Sequence, residues 1–152
     1  MEINDNSLGD IFSEALAEII ATVTSIYLEN VRSEKDVGFE EITGVMCLCG
    51  KKNKMIFISA NESDMRVLCS YMIGVPKAGV TKDDIEDALC EFVNMTAGSA
   101  KLRLVDTEYT FDLSPPFVIK GKDMSIVTKA KTHIISRTLS HGEISVKLKV
   151  IC

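Results

Sequence analysis

Glu91 and Asn94 bring a carboxylate and an amide together at a spacing that can do chemistry. Residues three apart on an α-helix are offset by ~4.5 Å along the axis and ~60° around it, so one approaching partner can touch both side chains. A carboxylate accepts charge-assisted hydrogen bonds and can anchor a cation. An amide carries an acceptor oxygen and donor hydrogens together, and so can orient a water without acting as a base. Gly98 stands one turn beyond Asn94 on the same side. A glycine inside a helix costs about 1 kcal/mol relative to alanine and needs a reason. Two remain open on the sequence: close approach by a partner, or close approach by another element of the same domain. Taken alone, a Glu and an Asn on a helix are ordinarily a solvated surface.

Competing chemistries find less support. The five cysteines are Cys47, Cys49, Cys69, Cys90 and Cys152. Cys47 and Cys49 sit two apart in a strand-like segment and point to one face. Neither His133 nor His141 is near them in sequence, and no second cysteine pair completes a zinc set, so no metal site is expected. The odd cysteine count, with no charged n-region and apolar signal segment at the start, reads as reduced thiols in a cytoplasm. A Ser or Cys nucleophile wants a nearby base, and the two histidines fall late, His133 on a strand face and His141 in a turn. No GxxxxGK[ST] loop joins a strand to a helix, so nucleotide hydrolysis is unsupported. The chain has 22 acidic against 17 basic residues, a net charge of -5. That balance repels phosphates and disfavours nucleic-acid binding. No apolar run approaches the ~18 to 20 residues of a membrane span.

The elements that must position Glu91 and Asn94 follow from patterning. The chain has 152 residues, 46% of them hydrophobic, which is one domain over 1–152 with a core of its own. Leu8, Ile11, Phe12, Ala15, Leu16, Ile19, Ile20, Val23, Ile26 and Tyr27 recur at helical intervals, capped by Asn6 or Ser7, with Asp10, Glu14 and Glu18 on the solvated side. A hairpin is expected from about Glu40 to Ala60 around a Gly50-Lys51-Lys52-Asn53 turn. A shorter helix capped by Asn61 and stopped by Gly74 follows, then a loop over Val75 to Val80. Thr81 and Asp84 open the third helix, which runs to about Leu104. It places Ile85, Ala88, Leu89, Phe92, Thr96 and Ser99 on one side and Asp84, Asp87, Glu91, Asn94, Gly98 and Lys101 on the other. Strands are expected over Tyr109 to Leu113, Phe117 to Lys120, Ser125 to Leu139 and Glu143 to Cys152, broken by Pro115-Pro116 and by a Ser140-His141-Gly142 turn. Ile144, Val146, Leu148 and Val150 alternate with Ser145, Lys147 and Lys149, so only one face of the sheet needs covering. The fold class is α+β: a largely antiparallel sheet with two long helices and one shorter helix on one side.

The run Glu91-Phe92-Val93-Asn94-Met95-Thr96-Ala97-Gly98 resembles the E-x-x-N helix of the CheC/CheX family of bacterial chemotaxis phosphatases. The order and length of the surrounding elements match as well: the long first helix, the hairpin, the short helix ending in Met72-Ile73-Gly74, and Ser114 to Lys122 after the motif helix. The likeness covers nearly the whole chain, and is most specific over Ile85 to Lys101. The single-motif CheX branch is the better match. Glu14 with Ala17 and Glu18 with Ala21 put no second amide three residues after a carboxylate, and Ser99 stands where many relatives carry Asn. The stretch from Arg32 to Glu41 matches no motif.

The resemblance implies a phosphatase whose substrate is the phosphorylated receiver domain of a CheY-like response regulator. It implies that the receiver brings its own Mg²⁺ and its own lysine, that this chain binds no cofactor or metal, and that two copies pair through sheet edges as a homodimer. On that reading Asn94 positions the attacking water, Glu91 bonds the receiver lysine and sets the register, and Gly98 keeps the face clear. The alternative is a non-enzymatic module in which the same helix binds a receiver, receptor or motor component without hydrolysis.

Overall fold

The computed structural model describes residues 2–32, 38–129 and 131–152. Among the described residues three α-helices, α1 (Asp5–Thr24), α2 (Glu62–Ile73) and α3 (Lys82–Arg103), accompany seven strands: β1 (Glu29–Arg32), β2 (Ile42–Gly50), β3 (Lys54–Ala60), β4 (Phe111–Leu113), β5 (Phe117–Lys120), β6 (Ile134–His141) and β7 (Ile144–Ile151). The strands form one antiparallel sheet in the order β1-β6-β7-β3-β2-β4, with β5 also on β2, end to end with β4. Ser114-Pro115-Pro116 separates β4 from β5, where a missing proline N–H costs least, on the sheet's edge. The α+β class is as the patterning required.

The helices cover one sheet face. Phe12, Leu16 and Ile20 of α1, Leu68 of α2 and Leu89 and Phe92 of α3 join Met46, Ile56, Ile58, Leu148 and Val150 of the sheet in a continuous buried core. Alternation along β7 sends Leu148 and Val150 into this layer, while Lys147 and Lys149 point the other way.

The other face is not bare, which corrects the one-sided expectation. Val45, Phe57 and Ile151 form a second small apolar cluster, packed over by Phe39, Met55 and Ile126. Lys149 is 4% exposed there, with its ammonium 4.3 Å from the centre of the Phe39 ring. The clue lay in β3, where Met55-Ile56-Phe57-Ile58 is apolar at successive positions and therefore on both faces.

Boundaries differ where local capping chemistry decides them. Helix α1 starts earlier than expected: Asn4 is the cap, its Oδ1 accepting from the Ser7 N–H at 3.0 Å while the Ser7 hydroxyl accepts from the Asn4 N–H at 2.9 Å. The helix ends at Thr24 because Ser25 turns left-handed, with φ 61°, and Tyr27 is exposed, not part of the core. Strand β1 pairs with β6 and was not foreseen, since Glu29-Asn30-Val31-Arg32 carries almost no apolar signal. The expected strand over Ser125 to Leu139 is realised only from Ile134, and Ile126 instead packs on the far-face cluster. Tyr109 precedes β4 and gives its ring to Lys52, 4.3 Å from the centroid. Residues 33–37 of the unmatched stretch, and residue 130 of the expected strand, lie outside the described residues.

Candidate docking and catalytic face on helix α3

Helix α3 is held at its start, along its underside and at its end. Thr81 Oγ1 accepts from the Asp84 N–H at 3.1 Å, and Asp84 Oδ2 accepts from the Thr81 N–H at 2.9 Å, a reciprocal capping box. Ile85, Leu89, Phe92, Val93, Thr96, Ala97 and Ala100 are buried against the sheet and the other helices. Strand β2 comes so close beneath that a Cβ on Gly44 would stand 2.6 Å from Val93 Cγ2 and 3.0 Å from Leu89 Cγ. At the far end, the two terminal nitrogens of Arg103 grip Glu14 and Glu18 of α1 at 3.1 and 2.6 Å. Glu14 and Glu18 of α1 are therefore tied to a neighbouring helix.

This frame leaves Glu91 and Asn94 exposed, as the helical spacing required. Among the described residues, neither side chain has a hydrogen-bond or ion-pair partner, so both are available to an incoming molecule. Asp83 and Asp87 are exposed toward the start of the helix and make that half acidic. Ser99 is half-buried, on the flank of the face. Lys101, two turns past Asn94, pairs with Asp112 of β4 at 3.0 Å.

Gly98 resolves a choice that patterning left open. A Cβ built on it meets nothing within 4 Å, so no element of this domain requires glycine there. Internal packing is excluded as its reason, and an unobstructed surface beyond Asn94 remains. One residue that sequence reasoning passed over shares this side. Leu102 is 77% exposed, and its place eleven residues after Glu91, ~20° around the helix, was a signal the spacing already contained.

Burial, and then the negative charges of Asp87, Glu86 and Glu91, push the Cys90 thiol up, away from the reactive thiolate. His133 Nδ1 lies 2.5 Å from Asp5 Oδ2 at the start of α1, and His141 Nδ1 lies 3.0 Å from the Tyr27 carbonyl past its end. No group of three or more His, Cys, Asp or Glu among the described residues is placed to hold a metal ion, and none of the described helices is long and apolar enough to cross a membrane. A cleft of about 230 Å³ is lined by Glu41, Glu62, Lys82 and Lys120, with neither Glu91 nor Asn94 in its wall. The pair thus presents a convex helix face, a shape suited to another protein's surface more than to a small ligand.

Comparison with known proteins bears on the fold and the family. No curated protein matches the sequence. The fold is similar to that of the chemotaxis protein CheX from Vibrio vulnificus, with a TM-score of 0.81, 21% identity and 98% of each chain covered. It is also similar to CheX from Desulfovibrio desulfuricans, with a TM-score of 0.78, 20% identity, and 94% of this chain and 97% of that one covered. A third similar structure, from Borrelia burgdorferi, is a CheX-CheY-BeF3-Mg²⁺ complex, with a TM-score of 0.78, 19% identity, and 94% of this chain and 95% of that one covered. The family model described as chemotaxis phosphatase CheX matches residues 42–139, a span that contains all of α3 with Glu91 and Asn94. The chain belongs to the CheX family.

Proposed function

We propose that this protein hydrolyses the aspartyl phosphate of a CheY-like receiver domain, with the exposed face of α3 as the docking and catalytic surface. The observation that carries the reading is the pairing of Glu91 and Asn94 on a rigid, unobstructed helix face, each with its polar atoms unpartnered among the described residues. Family membership and the receiver complex of the Borrelia relative add support. In that complex BeF3 is the chemical stand-in for the phosphoryl group.

The reaction asks little covalent chemistry of this chain. A water oxygen forms a bond to phosphorus as the bond to the aspartate oxygen breaks, releasing the carboxylate and inorganic phosphate. The transition state is loose, so placing the water in line and balancing charge supply most of the rate. Asn94 holds the water with its amide, accepting from it or donating to it as the attack requires. Glu91 takes a charge-assisted bond from the receiver's lysine and sets the register in which Asn94 enters. On this reading Mg²⁺ would be held by the receiver and would supply neutralisation of phosphoryl charge there. Gly98 leaves room for the receiver's surface.

The same reading has the chain act as a single domain in the cytoplasm and pair with a second copy through sheet edges. Exposure of Phe117 and Ile119 on edge strand β5 supports such pairing, and sedimentation of the purified protein tests it.

Decay of a radiolabelled phospho-receiver is the test of function. Wild type should accelerate decay, and Asn94→Ala should lose roughly 100-fold in turnover, the scale set by misplacing a reactant. Glu91→Ala should mainly raise the receiver concentration required. Unchanged decay with wild type across the receivers of the source organism would reject the enzyme, leaving a docking module if binding persists. A fully active Asn94→Ala would reject the mechanism.

A further inference from the structure

Leu102 breaks the amphipathic pattern of α3. Its neighbours in the chain, Lys101 and Arg103, are engaged by Asp112 and by Glu14 and Glu18, and Leu104 is fully buried. Leu102 alone in this turn points into solvent, 77% exposed, followed just past the helix end by Val105 at 57%. This end of the helix is pinned, so the leucine stands out on a rigid support instead of a frayed terminus.

Its position ties it to the candidate site. Leu102 lies eight residues beyond Asn94, ~12 Å along the axis and ~80° around from it, and ~20° around from Glu91. Gly98 lies between them with open space above it. A standard protein-protein interface buries about 800 Å² per partner, a patch of roughly 16 Å radius. Centred on Asn94, such a patch takes in Leu102 and clears Gly98 on the way.

We propose that Leu102 is the apolar anchor by which this face holds a receiver domain, with Val105 at its border; the proposal rests on the receiver reading given above. The acidic end of the face and Glu91 then set orientation, and Leu102 supplies the affinity that those solvated charges do not. Interface charges mainly steer and select, whereas a few well-packed, fully desolvated side chains on pre-organised supports carry most of the binding energy. Burial of a leucine is worth about one to two decades in affinity.

The test uses the whole chain and the CheY-type receiver of the same organism. Binding is measured by calorimetry on receiver activated with BeF3 and Mg²⁺, and turnover on phospho-receiver. Leu102→Ala should weaken binding and raise KM about 10- to 100-fold while leaving kcat at saturation unchanged. Asn94→Ala should lose kcat and keep affinity. Val127→Ala, which removes an equally exposed apolar side chain far along the sequence from α3, should change neither. A Leu102→Ala protein that binds within two-fold of wild type, or that loses kcat at saturation with affinity intact, would overturn the anchor. So would a change in oligomeric state of Leu102→Ala, which would assign the leucine to contact between copies. Wild type that binds the receiver without speeding its decay would sink the phosphatase reading, while the Leu102→Ala affinity would still decide the anchor.

Discussion

Replacing Gly98 with alanine separates two reasons for a glycine in the middle of a 22-residue helix. If the backbone there were needed for packing inside the domain, the added methyl would collide and destabilise the fold. The structure says otherwise, because the new Cβ would meet no atom within 4 Å and its φ is not in the left-handed region. What remains is the backbone term. Alanine restricts the unfolded chain more than glycine does and favours the helix by about 0.5 to 1 kcal/mol. For a domain of this size that raises Tm by about 1 to 4 °C. Thermal melts followed by circular dichroism, with urea titrations to confirm a shifted midpoint at constant slope, give the sign directly. A fall in Tm would refute the reasoning, since it would mean that a neighbour crowds Gly98 after all. The same variant also reports on docking. A receiver surface closing over the line from Asn94 to Leu102 would have to accommodate the methyl, so KM should rise while kcat holds. A more stable variant with unchanged KM would show that a partner does not approach there.

Gly44 offers the opposite outcome. Gly44→Ala would press its Cβ against Val93, one residue before Asn94, so stability should fall by about 1 to 3 kcal/mol, the usual cost of overpacking, and turnover should fall with it. Adding Val93→Ala should recover much of both, read by denaturant midpoint and phospho-receiver decay. Thr81→Ala removes one half of the α3 capping box and should cost about 1 kcal/mol. Its activity per folded molecule should match wild type, because the cap lies about three and a half turns from Asn94.

Much of the frame was legible because its signals are local. Helix α3 announces itself through Thr81 and Asp84 at the start and an apolar stripe beneath, and α2 through Asn61 and Gly74, the latter left-handed at φ 69°. The failures arise where the deciding contact is distant in sequence. Strand β1 has little hydrophobicity to display, and its reason for being a strand is the edge of β6, over a hundred residues away. The strand expected from Ser125 begins only at Ile134, and Ile126 packs instead on the cluster of Val45, Phe57 and Ile151. The expectation of an uncovered sheet face failed because β7 was read alone, while β3 and Phe39 supply the second cluster.

By itself, the sequence determined that Glu91, Asn94, Gly98 and Leu102 share one side of a helix, because 3.6 residues per turn is a property of the backbone and needs no neighbour. It also carried the Glu91-x-x-Asn94 spacing on which the family resemblance rests. Only the tertiary structure decided that this side stays open. Exposure depends on what the rest of the chain packs against, and here β2 at Gly44 takes the opposite side of α3 while α1 is held at the flank through Arg103. The reason for Gly98 had to come from the same source, since a spacing can show where a glycine lies on a helix but only three-dimensional neighbours, or the lack of them, can show whether the domain itself requires it.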